Sequence, residues 1–186
     1  FLPMSISLFI PIYNKEKILK RHVNEIYDYL EKTTDKFELV IVDDSSTDNT
    51  PAIILQLQKQ KEFLRYLRFE NGPSRRENLG ESMKTAKYSL VGYMDFDLAV
   101  PMFFLKEFIK SINEGNDIAI GSRRIKGAKV NRSFYRQIWS MLYHKTIKFL
   151  FLSNIHDYQC GFKLFKKEVL MALLNKAGYD KKLQRG

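Results

Sequence analysis

Two acidic clusters carry residue types and spacings able to do chemistry: Asp43-Asp44 in "VDDSSTDNT" (42–50) and Asp95-x-Asp97 in "MDFD" (94–97). Adjacent carboxylates repel unless a cation, a hydrogen-bonding ligand or open water takes up their charge. Alternate residues of an extended chain point the same way, so a D-x-D closing a strand can present both carboxylates to one divalent cation. The arginines of "GSRR" (121–124) bring the opposite charge and a planar fork suited to phosphate. Carboxylates for a metal and ribose hydroxyls, with arginines for phosphates, fit a nucleotide ligand. Each cluster alone has a plainer reading. A D-x-D is common by chance, and "DDSSTD" taken alone is more often a solvated loop in which Thr47 or Asp48 caps a helix. His22, His144 and His156 show no metal-ligand spacing and read as surface or packing residues. Cys160 reads as a small buried hydrophobe.

The elements that must position these groups alternate along the chain. "SISLFI" (5–10) is a strand that Pro11 is expected to stop, and Leu19, Val23, Ile26 and Leu30 mark one face of the helix that follows. "FELVIVD" is a continuous apolar strand of the kind buried on both faces of a parallel sheet. A helix is expected through "NTPAIILQLQKQKEF", with Pro51 in its first turn. "LRYLRFE" is a weaker strand, a helix covers roughly 76–87, and "SLVGYMD" is a further strand. Phe104, Leu105, Phe108, Ile109 and Ile112 define an amphipathic helix, and "DIAIGS" is a fifth strand. Strands alternating with helices predict an α/β domain with a mostly parallel sheet. Ligands of such sheets sit beyond the carboxyl ends of the strands. Pro11–Asn14, Asp43–Asp44, Asp95–Asp97 and Gly121–Arg124 all fall there, so four polar clusters should converge on one rim.

Bulk properties set the frame. The 186 residues suit one domain with a proper core, and 45% hydrophobic with 13% aromatic residues argues against disorder. A formal charge of +10 suits an anionic partner: nucleic acid, a phosphorylated ligand or an acidic membrane surface. Acidic pairs at the ligand rim argue against nucleic acid, whose phosphates they would repel. One cysteine excludes an intrachain disulfide. No uncharged apolar run is long enough to span a bilayer, and the opening "FLPMSISLFIPIYN" lacks the features of a signal peptide.

Taken together, "IPIYNKEK", "VIVDDSSTDNT", "MDFDLAVP", "IAIGSRRIKGA" and "DYQCGFKLFKKEVL" resemble, in order and spacing, the family 2 inverting glycosyltransferases. The resemblance runs from about residue 5 to 176 and is to the branch that moves a sugar from a nucleotide donor to a polyprenyl (dolichyl) phosphate. It implies a Rossmann-like GT-A fold, a donor site dependent on Mg2+ or Mn2+, and action at the cytoplasmic face of a membrane. By this resemblance Pro11, Tyr13 and Glu16 begin the nucleotide site, Asp44 contacts base or ribose with Asp43 beside it, and Asp95 and Asp97 hold the metal against the diphosphate. The same resemblance makes Arg123 and Arg136 candidates for a phosphate and matches Asp157, Gln159 and Cys160 to the segment beside the acceptor. Asp95, Asp97, Arg123, Asp157 and Gln159 form the expected catalytic set. "DYQCGFKLF" is similar to dolichyl-phosphate glucosyltransferases, favouring a UDP-sugar over a GDP-sugar. The alternatives are a GDP-mannose-dependent dolichyl-phosphate mannosyltransferase and a GT-A enzyme acting on a glycan hydroxyl.

Two departures from the family pattern matter. Ser74-Arg75-Arg76 stands where relatives carry a "G-K-G" type loop. The chain also stops at "GYDKKLQRG", where relatives continue, so residues 1–186 are expected to be a single catalytic domain cut short at its C-terminus. A phosphate acceptor would explain why no His–carboxylate base pair stands out. A phosphate monoester has its second pKa near about 6 and is largely dianionic at neutral pH, so it can attack without a protein base. No acidic residue lies between Asp117 and Asp157, and this span includes the aromatic "FYRQIWSMLYHKTIKFLFL" (134–152). Such a helix suits the headgroup layer, or equally a core helix with charged ends.

Overall fold

The computed structural model describes residues 5–73, 75–121 and 160–177. Six strands form one sheet: β1 (Ser5–Ile12), β2 (Lys36–Asp44), β3 (Leu64–Phe69), β4 (Leu90–Met94), β5 (Ile118–Ile120) and β6 (Phe162–Lys166). Their spatial order is β3-β2-β1-β4-β6-β5. β1 through β4 run parallel, whereas β6 is antiparallel to both its neighbours, β4 and β5. The sheet is thus α/β and mostly parallel, as the alternation of strands and helices predicts.

Among the described residues five helices cover the two faces: α1 (Leu19–Thr33), α2 (Thr50–Gln58), α3 (Arg75–Met83), α4 (Phe104–Asn113) and α5 (Lys167–Ala177). The two-residue period of the strands divides the core accordingly. Leu39 and Ile41 of β2, with Ile6, Leu8 and Ile10 of β1, pack against α1, α2 and α4. Val40, Val42 and Phe9 meet Met83 of α3 and Leu170 and Leu174 of α5. On α1 the expected stripe of Leu19, Val23, Ile26 and Leu30 is fully buried. Burial of each such side chain contributes about 1.5–3 kcal/mol before chain entropy is counted.

The structure differs from the sequence-based expectation at three points. Pro11 does not stop β1; it lies inside the strand, in register with Val42. Pairing with β4 has already ended at Phe9, so a residue without an N–H is tolerated there. Helix α2 ends at Gln58 and does not reach Phe63. "QKQKE" offers nothing apolar to bury, and the chain turns there to enter β3. Strand β6 was not foreseen at all, because Lys163 and Lys166 interrupt its apolar run. Those lysines find partners beside the strand, Lys163 donating to the hydroxyl of Tyr93, its neighbour on β4, at 2.8 Å and Lys166 to Asp117, just before β5, at 2.8 Å.

Candidate active site

The chain leaves β1 outward to β2 and β3, then returns to β4 on the other side. Such a reversal opens a crevice beyond the carboxyl ends of β1 and β4. Three non-glycine residues adopt positive φ among the described residues: Asn14 (49°), Ser45 (70°) and Leu98 (53°). They follow β1, β2 and the β4 aspartates in turn, so the uncommon conformations all fall on this rim. Left-handed backbone in non-glycine residues concentrates at functional sites because it must be held there by its surroundings.

Asn14 is held by the loop after β2. Its backbone N–H donates to Ser46 Oγ at 2.9 Å, and its Oδ1 accepts the Thr47 N–H at 2.8 Å. Glu16 Oε2 accepts the Asn49 N–H at 3.0 Å, and the Lys15 N–H donates to Thr50 Oγ1 at 2.8 Å. Asp48 accepts from the backbones of both Glu16 (3.2 Å) and Thr50 (2.9 Å), so it secures the start of α2 although Asn49 is the N-cap residue. Burial pushes the Asp48 carboxyl up, but the hydrogen bonds from Thr50 and Glu16 outweigh it and hold the group below its ordinary range. Much of "YNKEK" and "SSTDNT" therefore serves to lace two rim loops together.

Asp43 and Asp44, adjacent on β2, point to opposite faces of the sheet. Asp43 is fully buried. Its Oδ1 accepts the Ser46 N–H at 2.9 Å, and its Oδ2 accepts the Tyr66 hydroxyl at 2.6 Å and Arg68 Nη1 at 3.2 Å. Burial, together with the bond to Asp43, pushes the Tyr66 phenol above the usual tyrosine range. Asp44 faces α3 and is 1% exposed. Asn78 donates to its Oδ1, while its Oδ2 has no hydrogen-bond partner among the described residues. A buried carboxylate oxygen without a donor is costly, and at a ligand crevice it suits an N–H or hydroxyl brought by the ligand. Gly72 lies directly over Asp44: a methyl group there would sit 2.5 Å from the Asp44 carbonyl oxygen.

Asp95 and Asp97 are exposed at the end of β4, with Phe96 buried between them. Asp97 Oδ1 accepts the Ala99 N–H at 3.0 Å. The Asp95 N–H donates to Gly161 O at 2.7 Å, which ties the motif to the start of β6. From the other side His22 Nδ1 lies 2.9 Å from the Phe96 carbonyl oxygen. Among the described residues no three carboxylate, histidine or cysteine groups cluster as a closed metal site. Two exposed carboxylates two residues apart instead fit a hard divalent cation that takes its remaining ligands from a diphosphate and water.

Of the sequence-predicted residues, the structure brings Pro11, Tyr13, Glu16, Asp43, Asp44, Asp95 and Asp97 to one rim. Cys160 is fully buried, packed near Gly121, where a methyl group would come within 2.9 Å of its sulfur. Arg123, Arg136, Asp157, Gln159 and the 134–152 segment lie outside the described residues. Sequence reasoning missed Asn78, Gly72, Gly161 and the contact of His22 with Phe96. Only Gly161 had a signal, its place in "QCGF".

The fold with this rim is that of GT-A glycosyltransferases. A mannosyltransferase of Pyrobaculum calidifontis, solved in complex with GDP-Man and Mn2+, superposes with a TM-score of 0.64 at 20% identity, over 93% of this chain and 47% of that one. The chain belongs to glycosyl transferase family 2, whose model matches residues 7–174. A dolichyl-phosphate beta-glucosyltransferase of Trichomonas vaginalis is 29% identical over 180 residues, covering 90% of this chain and 55% of the relative. A dolichol-phosphate mannosyltransferase of Pyrococcus furiosus is 32% identical over 180 residues, covering 95% of this chain and 50% of the relative. The chain spans about half the length of these relatives.

Proposed function

We propose that this chain carries the donor site of an enzyme that transfers a hexose, with inversion, from a nucleotide diphosphate to a polyprenyl phosphate. The observation that carries the reading is the buried, half-satisfied Asp44 on the same rim as the exposed Asp95–Asp97 pair. Asp44 takes a donor group of the nucleoside, and Asp43 frames that pocket through Ser46 and Arg68. Pro11, Tyr13 and Glu16 line its β1 side. Asp95 and Asp97 hold Mg2+ or Mn2+ against the diphosphate, where the cation supplies charge neutralisation for the departing nucleotide. Arg123 and Arg136 orient the acceptor phosphate, with Asp157 and Gln159 beside it. The acceptor is its own nucleophile, so the chain's task is to align it with the anomeric carbon and exclude water.

A lipid phosphate acceptor sets the enzyme at a membrane face, for which we take the cytoplasmic one. Among the described residues no helix is long and apolar enough to cross a membrane. The basic, acid-free span 118–156 suits contact with anionic headgroups. "DYQCGFKLF" supports UDP-glucose as donor, and the 32% identity to a named mannosyltransferase supports GDP-mannose as the second reading. Incubating the full-length protein with radiolabelled UDP- and GDP-sugars and a short polyprenyl phosphate tests this. A labelled, acid-labile lipid product formed from UDP-glucose is expected. Transfer only to a glycan hydroxyl would overturn the acceptor, and transfer only from GDP-mannose would overturn the donor.

A further inference from the structure

We infer that His22 is a positioning residue for the Asp95–Asp97 motif, acting through the Phe96 backbone. The inference rests on the reading that these two aspartates hold a divalent cation. His22 is 8% exposed and sits on α1 between Leu19 and Val23, both fully buried, so its helix gives it little freedom. Its Nδ1 lies 2.9 Å from Phe96 O, and its ring stands 5.1 Å from the Phe96 ring at 45°. Phe96 itself is 4% exposed.

The two ring nitrogens have distinct partners. A carbonyl oxygen only accepts, so Nδ1 carries the proton and donates it to Phe96 O. A guanidinium only donates, so the Arg21 Nη2 group at 3.1 Å meets the Nε2 lone pair. Both contacts fix the ring's tautomer and plane.

Phe96 is the residue between the two carboxylates, and its carbonyl is part of the peptide unit leading to Asp97. Among the described residues the ladders of β4 end at Tyr93 and Met94, before this peptide, and the next turn passes through Leu98 at a φ of 53°. His22 supplies the missing anchor. It fixes where the backbone leaves Phe96 and hence the separation at which Asp97 stands from Asp95. Hydrogen bonds that orient metal ligands from behind change metal affinity by about 10- to 100-fold when removed.

The test measures UDP affinity of the 186-residue chain in Mn2+ and in EDTA, and takes their ratio as the metal enhancement. Thermal melting and circular dichroism monitor the fold. His22→Leu keeps bulk and removes the donor. His22→Asn keeps a donor at the δ position. The enhancement should fall about tenfold in His22→Leu and stay near wild type in His22→Asn, with affinity in EDTA unchanged in both. A folded His22→Leu with wild-type enhancement overturns the proposal. So does an equal fall in His22→Asn, because the donor would then be irrelevant. Should His22→Leu fail to fold, His22→Gln, whose amide lies one carbon further out, replaces it, and equal enhancement in the Asn and Gln variants overturns the proposal. Asp97→Asn separates the two levels. If it retains full enhancement, the metal reading falls and the positioning role with it. If it loses enhancement while His22→Leu does not, only the positioning role falls.

Discussion

Gly161 and the Asp95 carboxylate lie so close that no side chain fits between them. A methyl group on Gly161 would sit 2.9 Å from Asp95 Cβ and well inside contact distance of Oδ2. The Gly161 backbone is outside the left-handed region, so space alone requires glycine. Gly161→Ala must therefore push Asp95 aside or part the Asp95 N–H from Gly161 O. The expected outcome is a loss of Mn2+-enhanced UDP binding of about tenfold or more, with affinity in EDTA little changed. Calorimetry with and without EDTA checks this, and undiminished enhancement would count against Asp95 as a ligand.

Asp97→Asn offers a cleaner probe of charge. Its Oδ1 accepts the Ala99 N–H, and an asparagine oxygen can take over that bond, so the loop should keep its shape. Losing one of two anionic ligands should abolish the difference between UDP binding in Mn2+ and in EDTA. Melting temperature should be unchanged. A variant binding Mn2+ and UDP as the wild type does would remove the metal assignment.

Asn14 combines two demands that different substitutions separate. Asn14→Gly keeps the positive φ but loses the acceptor for the Thr47 N–H, whereas Asn14→Ala loses both. Alanine should be less stable than glycine by about 1–2 kcal/mol, read as a difference in urea unfolding. Equal stabilities would mean that the backbone conformation at residue 14 relaxes freely.

Asp48 gives the rim loops an acid sensitivity. Its carboxyl is held below the ordinary value of 3.8, so its stabilising contribution is present above that pH and is lost as pH falls through the folded-state value. The destabilisation caused by Asp48→Ala at neutral pH should shrink progressively below pH 3.8. Urea midpoints of both proteins at descending pH measure it, and a constant difference would show that charge at residue 48 is immaterial.

Much of this was legible in the sequence because periodicity and strand ends are local. The apolar run "FELVIVD" and the stripe Leu19, Val23, Ile26, Leu30 specify their burial directly, and Asp44 and Asp95–Asp97 follow as strand-terminal groups. What the sequence hid depends on contacts across the fold. β6 reverses direction between two parallel neighbours, and nothing local in "FKLFK" announces its partner strands. The opposed directions of Asp43 and Asp44 follow from strand alternation, yet their partners on β3 and α3 do not. Likewise His22 lies 74 residues from Phe96, and only the return of β4 beside β1 brings them together.

Asp44 and Asn78 yield the sharpest test of the nucleoside site. Asn78 holds one carboxylate oxygen and leaves the other buried without a partner among the described residues. That oxygen can only accept, so a ligand that donates to it relieves a cost of about 1–3 kcal/mol carried by the free protein. Asp44→Asn keeps the shape but offers an amide that can turn a donor toward the ligand's donor. UMP and UDP affinity should both fall at least about tenfold in EDTA, because the contact is to the nucleoside and not to the diphosphate. Asn78→Ala should destabilise the free protein by about 1–3 kcal/mol, because it leaves the other oxygen of Asp44 without its donor as well. Were Asp44→Asn to weaken UDP but spare UMP, Asp44 would belong to the diphosphate side of the site and the nucleoside assignment would be wrong.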